Sequence, residues 1–181
     1  MPAQLTTPRP FASTVISPGV ADVMQEFHST NSTLSAFVTT AYLLGYAFGP
    51  IVIAPLSEMY GRKILYIICA ILFLIFNIAC AVSNNLGALI VFRLLAGIPG
   101  SCPITIGAGS IADMVPAEKR GLAMATYILG PLLGPTLAPV VGGYLAPAKG
   151  WRWTFWLIVI VVSVFPYIKN NLRKKEGKLT Y

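Results

Sequence analysis

Ala54-Pro55-Leu56-Ser57-Glu58-Met59-Tyr60-Gly61-Arg62-Lys63 decides how this chain reads. The stretch holds one carboxylate, one glycine and two cations. Apolar runs flank it, over about 34–56 before it and 64–82 after it. A hydrocarbon core about 30 Å thick takes roughly 20 helical residues to cross, and each run is long enough. A charged turn between two such runs belongs at a membrane surface. Working outward, further apolar runs over about 87–111, 121–145 and 153–168 give about five spans, the last of them short and holding Pro166. Gly and Pro are frequent in the third and fourth. Membrane helices tolerate them, because neighbouring helices and polar side chains satisfy the freed backbone groups.

Composition agrees. The 181 residues are 56% hydrophobic and only 10% charged, whereas a soluble domain carries about 25% charged residues. The net charge of +7 does not indicate a nucleic-acid partner, because the cations sit at the ends of apolar runs as orientation signals do. Arg62 and Lys63 follow the first run, and Lys119 and Arg120 follow the third. Lys169, Arg173, Lys174, Lys175 and Lys178 follow the fifth. Ser83-Asn84-Asn85 has no cation, and the loop before the fifth run has Lys149 and Arg152. The positive-inside bias puts the basic loops in the cytoplasm.

Cys69, Cys80 and Cys102 lie inside apolar runs, are odd in number and match no metal spacing, so they read as buried thiols. No serine–histidine–acid set, zinc spacing or phosphate loop is present. The sequence therefore points to no enzyme and no cofactor, with the lipid bilayer as first partner. Ahead of the first run, 11–20 is short and broken by Pro18 and Gly19, and it is no signal peptide. Asn31-Ser32-Thr33 fits a glycosylation acceptor but abuts the membrane. There Ser32 or Thr33 as a helix cap is the favoured reading. His28 reads as a solvated loop residue.

The central stretch resembles the signature loop of the major facilitator superfamily, roughly Gly-x-x-x-Asp-x-x-Gly-Arg-Lys/Arg. Gly61, Arg62 and Lys63 match, while Ala54 replaces the first glycine and Glu58 the aspartate. Gly61 permits the tight turn, and Glu58 and Arg62, four apart, are placed to pair. In the family the acid also faces a helix N-terminus of the other half-transporter, forming a conformational latch. A plain stop-transfer loop is the alternative. In the third run, Arg93, Gly97, Gly100 and Gly107 fall along one helical stripe. A charge within a span is costly and marks function by default. The family has an arginine here that is implicated in proton coupling. The alternative is snorkelling to the interface from roughly 10 Å deep. The stretch 113–121 resembles the loop after the fourth helix, which implies inner-face ion pairs from Asp113, Glu118 and Arg120.

Gly130-Pro131-Leu132-Leu133-Gly134-Pro135, then Pro139 and Gly142-Gly143, resembles the antiporter motif of the fifth helix. That motif separates drug:proton antiporters from sugar symporters. Gly130 and Gly134 allow close packing, Pro131 and Pro135 bend the helix, and Gly142 extends the pattern. A generic glycine packing face is the alternative. Gly150-Trp151-Arg152-Trp153-Thr154-Phe155-Trp156 resembles the entry to the sixth helix, and its indoles read as an interfacial belt.

The resemblance, from about Phe11 onward, implies an all-α membrane protein, a partial N-terminal six-helix half of a transporter with twelve helices. Residues 1–33 would be a tail with a remnant of the first helix, 34–168 the membrane domain and 169–181 a basic cytoplasmic tail. The usual acidic-aromatic segment before that tail is absent. The implied function is proton-coupled efflux of small molecules, of drug or polyamine type, from a multi-pass protein of the plasma membrane rather than the vacuole. Protons and a small-molecule substrate would be its ligands. The alternative is a non-transporting fragment, inert or associated with another transporter half.

Overall fold

The computed structural model describes residues 12–27 and 32–164. The helices are α1 (Val20–Glu26), α2 (Ser32–Tyr60), α3 (Arg62–Val82), α4 (Leu86–Gly100), α5 (Cys102–Met114) and α6 (Ala117–Lys149), followed by α7 (Arg152–Val164). A helical turn over 12–14 and a tight 3-10 turn at Ser17–Gly19 precede α1. Among the described residues, four paths are long and apolar enough to cross a membrane: Thr33–Tyr60, Arg62–Val82, Leu86–Asp113 and Ala117–Lys149. The third is α4 and α5 end to end. Of the fifth span, 153–164 lies in the 13-residue α7. Pro166 and the basic tail lie outside the described residues, as do His28 and Asn31.

Helix α3 shows why the chain needs lipid. Leu65, Cys69, Phe73, Asn77 and Cys80 point inward, while Ile64, Ile67, Ile71, Ile75 and Ile78 are exposed. Both stripes follow helical spacing and both are apolar. A helix apolar all round is buried in a large core or in a membrane. Buried polar side chains turn back to their own backbone: Asn77 Nδ2 donates to the Phe73 carbonyl at 2.7 Å and Thr154 Oγ1 to that of Trp151. That is the economical solution where no water is at hand.

Helix α4 is the centre of the bundle. It packs along α2 and α3, and α5 continues it against α2, α3 and α6. The α2–α4 crossing is backbone on backbone. A Cβ at Gly45 would overlap the Leu94 carbonyl, and one at Gly97 would overlap the Tyr42 carbonyl and lie 2.8 Å from the Tyr46 nitrogen. The glycine stripe expected in the third span is thus a contact surface. Asn85 starts α4 by accepting the Gly87 N–H at 3.1 Å. The path breaks at Ser101, two residues before Pro103, which has no N–H to continue the helical ladder.

The turns are tighter than the sequence suggested. The expected ten-residue hairpin is mostly helix: α2 runs through Pro55 and Glu58 to Tyr60. The reversal occurs at Gly61 alone, at φ 84° and ψ 145°, a conformation that excludes side-chain-bearing residues. Gly150, at φ 88°, does the same between α6 and α7. The fourth span likewise extends beyond both expected ends, because Pro131, Pro135, Pro139 and Pro147 are all accommodated within one helix.

Candidate functional site

At one end of the bundle Gly61 starts α3 with Arg62, whose guanidinium pairs with Asp113 at the end of α5 at 2.7 Å. Arg62 also reaches Ser110 Oγ at 3.4 Å. The expected Glu58–Arg62 pair is therefore corrected: Glu58 is exposed and makes no ion pair among the described residues. The expected ion pairs of Glu118 and Arg120 are corrected too. Arg120 donates to the Ala112 carbonyl at 2.7 Å. That carbonyl needs a donor, because the residue four positions on is Pro116. Glu118 and Lys63 are exposed and unpaired among the described residues. Arg62 and Arg120 thus meet at the end of α5. The Arg62–Asp113 pair is largely exposed, and such pairs contribute at most about 1 kcal/mol. Its effect is to join the two loops.

Arg93 is 2% exposed, and none of its guanidinium nitrogens has a hydrogen-bond partner among the described residues. It does not snorkel. Its guanidinium lies 4.9 Å from the centroid of the Phe155 ring. Phe155 meets Trp151 edge-on, with ring centroids 6.0 Å apart.

Helix α6 buries Gly130, Gly134, Ala138, Gly142 and Ala146, one small residue per turn. The N-terminal segment lies in this groove. A Cβ at Gly142 would overlap the Val15 carbonyl, and Thr14 Oγ1 donates to the Pro135 carbonyl at 3.2 Å. Pro139 has no N–H to offer that carbonyl, so Thr14 takes the missing donor's place. Pro131 and Pro135 also line a cavity of about 230 Å³ with Ser13, Tyr42, Leu43, Tyr46 and Ile104. The rings of Tyr42 and Tyr46 stack at 6.0 Å beside it.

The opposite end of α3, roughly 30 Å away at 1.5 Å per residue, carries a second polar cluster that sequence reasoning missed. Glu26 accepts from Trp151 Nε1 at 2.6 Å and from Arg152 at 2.5 Å. Arg152 also donates to the Ser83 carbonyl at 3.2 Å and lies 4.5 Å over the Trp151 ring. Of the expected indole belt, Trp153 and Trp156 are exposed but Trp151 is buried. The signal for it was Glu26, one of two acids, with Asp22, in a stretch ahead of the first run that has few charges. The Arg152 bond first, and the Trp151 indole second, hold the Glu26 carboxyl below its ordinary value of 4.5. A depressed folded value means that the cluster stabilises the fold above about pH 4.5 and loses this as pH falls through the folded value. In a chain with Trp153 and Trp156 replaced by Phe, Trp151 emission should show an acid transition that Glu26→Gln removes. The same transition in Glu26→Gln would rule the carboxylate out as its source.

A helical bundle with four apolar paths long enough to cross a membrane and a buried cation defines a multi-pass membrane protein. The sequence profile of the Major Facilitator Superfamily matches residues 6–178. The chain belongs to that family. It is 54% identical over 98% of its length to the MFS-type transporter penM of Penicillium rubens, of which it covers 37%. It is 55% identical over 88% of its length to the MFS transporter cpaT of Aspergillus oryzae, covering 32%. To the efflux pump radE of Floropilus chiversii it is 48% identical over 86%, covering 29%. The chain spans about a third of the length of these relatives. The fold also resembles a bacterial homologue of the human lysosomal transporter Spinster, crystallised inward-facing and occupied. The TM-score is 0.79, with 19% identity, 92% of this chain and 42% of that one. The chain has the fold of a partial N-terminal half of a major facilitator.

Proposed function

We propose that this chain supplies part of a proton-coupled exporter of small organic molecules, of drug or polyamine type. The observation that carries the reading is Arg93, a cation buried in a membrane span with no hydrogen-bond partner among the described residues. Such a group is expensive and marks an ion or proton pathway. The name of one relative, an efflux pump, supports the direction of transport. The cavity beside Tyr42 and Tyr46 suits an apolar or aromatic cargo.

The other residues take roles on the same reading. Glu58, Gly61, Arg62 and Lys63 form the conformational latch, on the cytoplasmic face and in the plasma membrane. Asp113 and Arg120 brace it, with Glu118 beside them. Gly130, Pro131, Gly134, Pro135 and Gly142 form the gate against leak. The segment 1–33 is an N-terminal tail with a remnant of the first helix, 34–168 the partial membrane domain and 169–181 a basic cytoplasmic tail.

The test is a full-length protein with this chain in the matching region of penM, reconstituted in liposomes. Export of a fluorescent drug or a labelled polyamine should follow an imposed pH gradient and stop when an uncoupler collapses it. Export indifferent to the gradient would refute proton coupling.

A second reading, association with another transporter half, has its own observation. Leu129, Leu132, Leu133 and Leu137 of α6 are exposed beside the small-residue groove.

A further inference from the structure

We infer that Phe155 is a positioning residue for Arg93, stabilising the buried guanidinium by its ring face and so leaving every N–H donor uncommitted. The inference rests on the proton-coupling reading of Arg93. A buried ion ordinarily requires a counter-charge. None faces Arg93 among the described residues. The titratable side chains acting on it are Cys80 of α3 and Tyr42 of α2, and neither is an acid of ordinary strength. What α7 presents instead is an aromatic face 4.9 Å away. A cation over a ring centroid within about 6 Å is attracted by the ring quadrupole, most strongly where water is absent.

The difference from a carboxylate partner is functional. A carboxylate would take two donors in a bidentate bond and hold the arginine in one state. A ring face attracts the charge without using a donor. The arginine is therefore held in place yet ready to bind an acid or an anionic group that arrives during the cycle.

The ring is itself held. Phe155 is 1% exposed and meets Trp151 nearly perpendicularly, at 84°. Trp151 is fixed by its indole bond to Glu26 and by Arg152 over its face. A column from Glu26 through Trp151 to Phe155 thus sets the orientation of the face that Arg93 meets.

Two measurements test this. In the full 181-residue chain in lipid nanodiscs, the Arg93 Nε–H resonance should carry an upfield ring-current shift. Phe155→Leu should abolish that shift and Phe155→Trp should keep it. In the full-length protein described above, Phe155→Leu should lower gradient-driven export roughly ten- to thirtyfold, while Phe155→Trp stays close to the parent. Should Phe155→Leu fail to fold, mono-, di- and trifluorophenylalanine at 155 keep the ring and weaken its quadrupole. Export should then fall stepwise with each fluorine. Unchanged export across that series, or in a folded Phe155→Leu, would overturn the inference if Arg93→Ala is inactive. Arg93→Ala with parental export would overturn the coupling reading and the inference with it.

Discussion

Gly97→Ala should destabilise the bundle by about 3 kcal/mol, the upper end of the usual cost of forcing a methyl into a packed core. The added Cβ would meet the Tyr42 carbonyl, the Tyr46 nitrogen and the Gly45 carbonyl carbon. All three are backbone atoms of α2, so relief requires the two helices to separate. Their separation would in turn unseat Gly45 and Gly49, whose own added Cβ atoms would strike Leu94, Ile98 and Ser101. For a chain of this size that cost corresponds to a fall in Tm of roughly 6–12 °C. Gly121→Ala is the control, since nothing lies within 4 Å of its added Cβ. There the higher helix propensity of alanine should stabilise by up to about 1 kcal/mol. Thermal unfolding of the two variants in one detergent decides the matter. A Gly97→Ala midpoint equal to the parent's would mean that the crossing has slack.

Arg93→Ala should lower gradient-driven export by roughly a hundredfold or more, as for other charges that act only in the working step. Its effect on stability should run the other way. The guanidinium is buried with no hydrogen-bond partner among the described residues, so its removal deletes a buried charge that only a ring face offsets. Arg93→Met, which fills more of the space, should unfold at or above the parent's temperature. That split separates a residue kept for function from one kept for packing, because functional sites are held at a cost in stability. Export and thermal unfolding of both variants check it. Parental export in the folded variants would return Arg93 to a structural role.

Much of the fold was legible because lipid imposes a coarse rule: a helix must stay apolar for roughly 20 residues. The runs at 34–56, 64–82, 87–111 and 121–145 obey it, and the observed paths cover them. Their ends were misread where a charged or proline-containing stretch looked like a loop. Glu58 and Pro55 are helical because a helix end protruding from lipid tolerates a charge. One residue, Gly61, suffices to reverse the chain. The stripe of Gly97 and Gly100 was legible from spacing, although its partner, Gly45 on α2, was not.

The sequence by itself determined the class of protein, the four long apolar spans, the turn at Gly61 and the singular position of Arg93. These follow from local rules of apolar length, backbone freedom and charge, which need no knowledge of neighbours. Tertiary structure alone decided which groups pair. Arg62 takes Asp113 rather than Glu58, Arg120 takes a carbonyl orphaned by Pro116, Thr14 serves one orphaned by Pro139, and Arg93 meets a ring. Each of these contacts joins different helices or loops. Their partners are set by how the helices cross, and spacing along one helix carries no record of that crossing.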